Sequence, residues 1–94
     1  MLEIVEGPEE RLIFTGRFDA AQVDKARRVL QPLSRGRTLD FAKLDYISSA
    51  GLGILLATQQ RLAGTGEKLI LINANSQIRD VFHFSGFDQL FEIR

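Results

Sequence analysis

The second half of the chain alternates short apolar runs with segments whose apolar residues recur at helical spacing. TLDFAKL (38–44) and EKLILIN (67–73) have the compact apolar centres of buried strands, and a helix is predicted between them over about residues 50–63. Four apolar residues stand together in the second run, which is typical of a strand covered on both faces. A further helix, capped by Asn75 or Ser76, follows that run. Strands that alternate with helices form parallel pairs joined by crossovers, so the pattern predicts an α/β fold.

The first half adds an antiparallel pair of strands and one more helix. LEIVE (2–6) and RLIFTG (11–16) flank a GPEE turn and predict a hairpin. Asp19 is predicted to cap the first helix, with Gln22 completing a capping box. Together the elements predict one domain over residues 1–94, with a small mixed β-sheet of four to five strands and flanking α-helices.

Composition excludes several classes of protein. The chain has 94 residues without cysteine, so disulfides and thiolate metal sites are excluded. Its formal net charge is zero, which provides no general attraction to nucleic acid, and no apolar stretch is long enough for a membrane span. The first ten residues carry four acids and no base, unlike a secretion signal. We therefore expect a cytoplasmic protein with no nucleic-acid partner and no membrane insertion.

The residues that could support catalysis are sparse. His83 is the one histidine, predicted to face solvent or to pack within the third helix, with no evident acid to orient it. A hydrolase with Ser49 as nucleophile is weakly supported, because the nucleophile elbow needs a glycine at position 47, where this chain has Ile47. Carboxylates are scattered, so we expect no metal and no cofactor. These observations favour a protein that is not an enzyme.

The segment DYISSAGLGILL (45–56) contains the most informative residues. Ser48 or Ser49 is predicted to cap the second helix. The first turn of a helix has unpaired N–H groups and the positive end of the helix dipole, so it tolerates a phosphoserine. A phosphate at Ser49 would add about −1.5 to −2 charges to an apolar, neutral surface. We therefore expect phosphorylation there to change binding and to leave folding intact.

LDFAKLDYISSAGLGILL, followed by EKLILINANSQIRDVFHFSGFDQLFEI, resembles the STAS domain of bacterial anti-sigma factor antagonists. GRFDAAQV is similar to the segment that opens the family's first helix. The resemblance implies a small mixed sheet with helices mainly on one side. It also implies partner switching: the unphosphorylated protein binds an anti-sigma factor that is also a serine kinase of the GHKL ATPase type. Phosphorylation abolishes that binding, and a metal-dependent serine phosphatase restores it.

The family's acceptor serine lies two residues before the motif glycine, which identifies Ser49 here, and Ser48 is the alternative acceptor. An alternative function is that of an accessory STAS subunit of a membrane lipid-transport or signalling complex, in which the serine is only a cap. Strand-to-helix loops of parallel strands open on one sheet edge, and small residues there leave room for a partner backbone. The predicted partner-binding residues are Phe18, Asp19, Tyr46, Ile47, Ser48, Ala50, Gly51, Leu52 and Gly53.

Overall fold

A computed structural model describes all 94 residues of the chain. Five strands and three helices alternate along it, with short 3₁₀ turns at Pro8–Glu10, Ala20–Gln22 and Phe87–Gln89. The elements are β1 (Leu2–Glu6), β2 (Leu12–Phe18), α1 (Val23–Leu30), β3 (Thr38–Ile47), α2 (Ser49–Ala63), β4 (Ile70–Ile72), α3 (Ser76–Phe84) and β5 (Glu92–Ile93).

The strands form one mixed sheet whose spatial order, β1-β2-β3-β4-β5, follows the order of the chain. β1 and β2 pair antiparallel, from Leu2 opposite Gly16 to Glu6 opposite Leu12, so the predicted hairpin is confirmed. β3, β4 and β5 each pair parallel with the strand before them. The α/β fold with a mixed sheet is therefore confirmed, and the sheet has five strands.

All three helices pack on the same face of the sheet and share one core. Buried residues of α1, α2 and α3 join one apolar cluster with the strands, and the rings of Phe14 and Phe41 meet edge to face there at 5.2 Å. Ile70 and Ile72 lie outside that cluster and are half-buried on the opposite face. The prediction that the β4 segment is covered on both faces is therefore wrong, because helices cover only one face.

The first helix begins differently from the prediction. Asp19 is a cap, but of the 3₁₀ turn Ala20–Gln22 that precedes α1, where its side chain accepts from the Ala21 N–H at 3.1 Å. The side chain of Gln22 does not complete a capping box, since its Oε1 accepts from the Leu2 N–H at 3.3 Å. Gln22 thus connects the start of α1 to the edge strand β1.

Candidate functional site

The ends of β2 and β3 meet at the start of α2. Phe18 and Ile47 are paired across these two strands, and the Ser48 N–H donates to the Phe18 carbonyl at 2.8 Å. This hydrogen bond holds the loop that enters α2 beside the loop that leaves β2. The two strand-to-helix loops therefore lie at one edge of the sheet, as expected for neighbouring parallel strands.

The two serines at this position differ in their surroundings. Ser48 is the N-cap of α2: it is half-buried, and its Oγ accepts from the Gly51 N–H at 3.1 Å. Ser49 is the first residue of the helix and is exposed, and its hydroxyl makes no hydrogen bond within the protein. The N–H groups of this first turn have no carbonyl partner in the helix. An anion on Ser49 would therefore be close to unpaired N–H groups while the cap remains in place.

The two glycines of the first helical turns have different surroundings. Gly51 is buried, and a Cβ at this position would lie 2.9 Å from both Cδ1 and the carbonyl oxygen of Phe18. A Cβ on Gly53 would meet nothing within 4 Å. Because Gly51 has no side chain, α2 can pack closely on β2 at this position. Of the two, Gly53 is the glycine that leaves room for another molecule.

The predicted partner-binding residues and Ser49 fall into a buried group, a half-buried group and an exposed group. Phe18, Ile47, Gly51 and Leu52 are buried and contribute little exposed surface, and Asp19 and Ser48 are half-buried. Among the exposed members, Ser49 and Gly53 are one helical turn apart on the same side of α2, and Tyr46 lies at the end of β3 that leads into the helix. We call them the α2 patch; its residues are Tyr46, Ser49, Ala50 and Gly53.

A positively charged side chain, that of Arg17, contacts Tyr46 at the edge of the α2 patch. The guanidinium of Arg17 lies 4.3 Å from the centre of the Tyr46 ring, a cation–π arrangement that restrains the tyrosine at the edge of the patch. On β5, the Glu92 carboxylate accepts hydrogen bonds from Lys68 and Arg94, which hold its pKa below the ordinary value.

Catalytic geometry is lacking around Ser49. His83, on α3, is exposed, and its Nδ1 lies 3.1 Å from Asp88 Oδ2. The expectation that no acid orients His83 is therefore wrong, but no hydrogen bond joins this pair to Ser48 or Ser49. The structure contains no group of three or more His, Asp and Glu side chains arranged to hold a metal ion. None of its helices combines the length and the apolar character that crossing a membrane requires.

Sequence reasoning did not identify a second surface next to the α2 patch. A groove of about 290 Å³ separates the end of β3 from α3. We call it the α3 groove; its lining residues are Asp45, Tyr46, Ile47, Gln77, Ile78 and Val81. Gln77, Val81 and Phe84 recur at the spacing of one helix face, but that spacing does not show that Gln77 and Phe84 are exposed.

Comparison with known proteins agrees with this fold. The family model described as "Mlab, STAS domain" matches residues 6–92. BtrV of Bordetella bronchiseptica, which is provisionally named an anti-sigma factor antagonist, is 39% identical over 74 residues. That match covers 79% of this chain and 58% of BtrV, so the chain spans little more than half the length of that relative.

Two further similarities extend over the whole chain. A STAS-domain containing protein of Pseudomonas aeruginosa is 27% identical over 95 residues, covering 98% of this chain and 94% of that protein. The unphosphorylated form of SpoIIAA, a Bacillus cell fate determinant and anti-sigma factor antagonist, superposes with a TM-score of 0.72. At 20% identity, over 100% of this chain and 87% of SpoIIAA, this similarity establishes a shared fold.

Proposed function

The chain belongs to the STAS domain family, and on that premise we propose that it is an anti-sigma factor antagonist acting by partner switching. In this proposal the unphosphorylated protein binds an anti-sigma factor that is also a GHKL-type serine kinase. The kinase phosphorylates Ser49 and binding is lost, and a metal-dependent serine phosphatase restores it. The name of BtrV supports this function, and the identity of the partners is part of the proposal because the chain spans only 58% of BtrV.

The observation that carries the proposal is the exposure of Ser49 beside a cap made by Ser48. A kinase needs an accessible hydroxyl, and the Ser49 hydroxyl is exposed and makes no hydrogen bond in the protein. Because the cap hydrogen bond comes from Ser48, a phosphate on Ser49 leaves it unbroken. The modification therefore adds about −1.5 to −2 charges without removing a contact that holds α2.

The properties of the α2 patch explain why a phosphate on Ser49 would release the partner. Ala50 and Gly53 are exposed and small, so a partner backbone can approach this side of the helix closely. A phosphate enclosed by such an approach loses water without gaining a partner, which costs several kcal/mol. A loss of about 2–4 kcal/mol weakens binding roughly 30- to 1000-fold, enough to release the partner.

The test reconstitutes the switch with each GHKL-type serine kinase encoded in the same genome. Incubation with ATP should add one phosphate to Ser49, as located by mass spectrometry, and Ser48→Ala should still be phosphorylated. In calorimetric titrations, wild type and Ser49→Ala should bind the kinase, whereas Ser49→Asp and Gly53→Arg should bind much more weakly. Gly53 is the appropriate position for the bulky variant because an arginine at Gly51 would displace Phe18.

Two results would contradict the proposal. One is a phosphate found only on Ser48, or none with an active kinase that binds the protein. The other is binding of Ser49→Asp and Gly53→Arg as tight as that of wild type. In the second case the α2 patch does not control binding, and the accessory-subunit alternative becomes the better explanation.

A further inference from the structure

The α2 patch is too small to account for a stable complex by itself. Ser49, Ala50 and Gly53 have little side-chain area, and stable interfaces bury roughly 800 Å² on each partner. Binding energy is concentrated in large anchors, aromatic ones above all, near the centre of an interface. Tyr46 is the one large side chain in the patch, and 40% of its surface is exposed. A stable complex therefore needs anchoring area beyond Tyr46.

The α3 groove supplies that area. Tyr46 and Ile47 form one wall, and Ile78 and Val81 of α3 contribute the other, so most of the lining is apolar. Tyr46 and Ile47 come just before Ser48 and Ser49 in the chain, so the groove lies next to the start of α2. A groove of about 290 Å³ can take one or two apolar side chains from another protein.

The apolar surface extends beyond the groove along α3. Gln77, Val81 and Phe84 are spaced to lie on one side of the helix. Phe84 is therefore about one turn beyond Val81, which forms part of the groove wall. Its side chain is 82% exposed, the most exposed large apolar residue of the molecule. An aromatic ring of this size buries about 150–250 Å² when it is covered. Phe84 is therefore an unoccupied anchor beside the groove.

Charge indicates what kind of partner fits. Asp45 lines the groove on the strand side, and Asp80 lies on the solvent side of α3 next to Phe84 in helical projection. Both are exposed, and neither takes part in any of the ion pairs of the molecule. Two unpaired carboxylates on either side of an apolar strip are complementary to lysine or arginine beside an apolar side chain.

We propose that the α3 groove and Phe84 bind an amphipathic segment of the partner kinase, one that presents an apolar side chain flanked by lysine or arginine. This inference rests on the proposed function and assigns a second contact to the same partner. The groove provides anchoring and partner selection, while the α2 patch responds to the phosphate. The two contacts are separable because Ser49 does not line the groove.

The experiment uses the kinase that binds wild-type protein, titrated by calorimetry without ATP. Phe84→Ser should weaken binding roughly 10-fold or more, as expected for loss of an aromatic anchor. The double variant Asp45→Lys and Asp80→Lys should weaken it by a similar factor and should reduce its dependence on salt. The controls are Val5→Ser, at an apolar residue 49% exposed on β1, and Glu3→Lys, at an exposed acid on the same strand without an ion pair, which makes half the charge change of the double variant. Both should bind as wild type does.

The outcomes separate this inference from the proposed function. If wild type binds and Ser49→Asp does not, but both groove variants bind as tightly as wild type, the groove inference is overturned and the switch remains. Equal weakening by the control variants would also overturn it, since the effect would not be specific to the groove. If no GHKL-type kinase binds wild type, the proposed function fails and this inference fails with it. Circular dichroism of each variant confirms that the fold is kept.

Discussion

At the residue scale, the start of α2 separates a structural contact from an accessible hydroxyl. Ser48 makes the capping hydrogen bond to the Gly51 N–H, and the neighbouring Ser49 faces solvent. The sequence SSAGLG indicates that a serine caps this helix, but which serine does so depends on where β3 ends. In the structure β3 continues to Ile47, so the cap falls on Ser48.

Substitution of the two serines should have unequal effects on stability. Ser48→Ala should lower the free energy of unfolding by about 1 kcal/mol, the usual loss for an N-cap. Ser49→Ala should change it by less than about 0.5 kcal/mol, as at most exposed positions. Ser49→Asp should stabilise by about 0.3–1 kcal/mol through the helix dipole. Urea unfolding measures all three, and an equal loss in both alanine variants would mean that Ser49 shares the capping role.

The two glycines of α2 form a second matched pair. Gly51→Ala should destabilise by about 1–3 kcal/mol, because its Cβ would overlap Phe18 and overpacking carries a penalty of that size. Gly53→Ala should stabilise by about 0.5–1 kcal/mol, since its surroundings are open and alanine favours the helix. Thermal unfolding of both variants is the measurement. A tolerated Gly51→Ala would mean that Phe18 moves without loss of packing.

The roles of these two glycines could not be told apart from the sequence. Both glycines are small residues in the first turns of a predicted helix, and the sequence indicates only that some surface approaches them. Which surface does so depends on a contact with Phe18, a residue distant in the chain. Periodicity within one helix does not contain that information.

At the element scale, a buried glutamine joins α2 to β4. Gln59 is buried, and its Oε1 accepts from the Leu69 N–H at 2.7 Å, just before β4 begins. In the sequence Gln59 falls at helical spacing from Leu55 and Leu62, so it lies on the buried face of α2 although it is polar. The contact orients the chain between the end of α2 and the strand that follows.

Loss of the hydrogen bond between Gln59 and Leu69 should lower the free energy of unfolding. Gln59→Leu keeps an apolar stem but leaves the Leu69 N–H buried without a partner, which should destabilise by about 1–3 kcal/mol. Gln60→Leu is the control, because Gln60 is exposed and its replacement should change stability by less than about 0.5 kcal/mol. Chemical denaturation compares the two. Equal effects would show that the Leu69 N–H finds another acceptor.

The existence of the elements was predictable where the apolar pattern is strong, but their extent depends on pairing: β4 covers only Ile70–Ile72 of the predicted 67–73 strand. The hairpin and the three helices follow from periodicity in the sequence. β3 is longer than the 38–44 segment because its last residues pair with Arg17 and Phe18 of β2. β5 was not predicted as an element, since a strand of two residues depends on pairing with β4 and has no pattern of its own.

At the scale of the whole molecule, the edge strand β5 contributes to stability in a pH-dependent way. Lys68 and Arg94 hold the pKa of Glu92 below its ordinary value of 4.5. A carboxyl whose pKa is lower in the folded state stabilises above its unfolded pKa, and that contribution is lost as the pH falls through the folded pKa. The contact therefore supports the fold at neutral pH and disappears in acid.

Replacement of Glu92 tests this linkage. Glu92→Gln should lower the melting temperature at neutral pH, and the difference from wild type should shrink to nothing as the pH falls below the lowered pKa. The effect should be small because the carboxylate is partly exposed. Calorimetric scans from about pH 7 to about pH 2.5 follow the difference. Glu3→Gln, at an exposed acid without an ion pair, controls for net charge, and a pH-independent gap for Glu92→Gln would contradict the assignment.

The spatial order of the strands also bears on how the protein is made. Each strand pairs only with the strands immediately before and after it in the chain. As the polypeptide leaves the ribosome, the pairing partner of every new strand has therefore already been translated. No early strand has to wait for a distant segment to be translated, so few unpaired edges are exposed to neighbouring nascent chains. The sheet can grow by one strand at a time in step with synthesis, and β5 joins after all the others are in place.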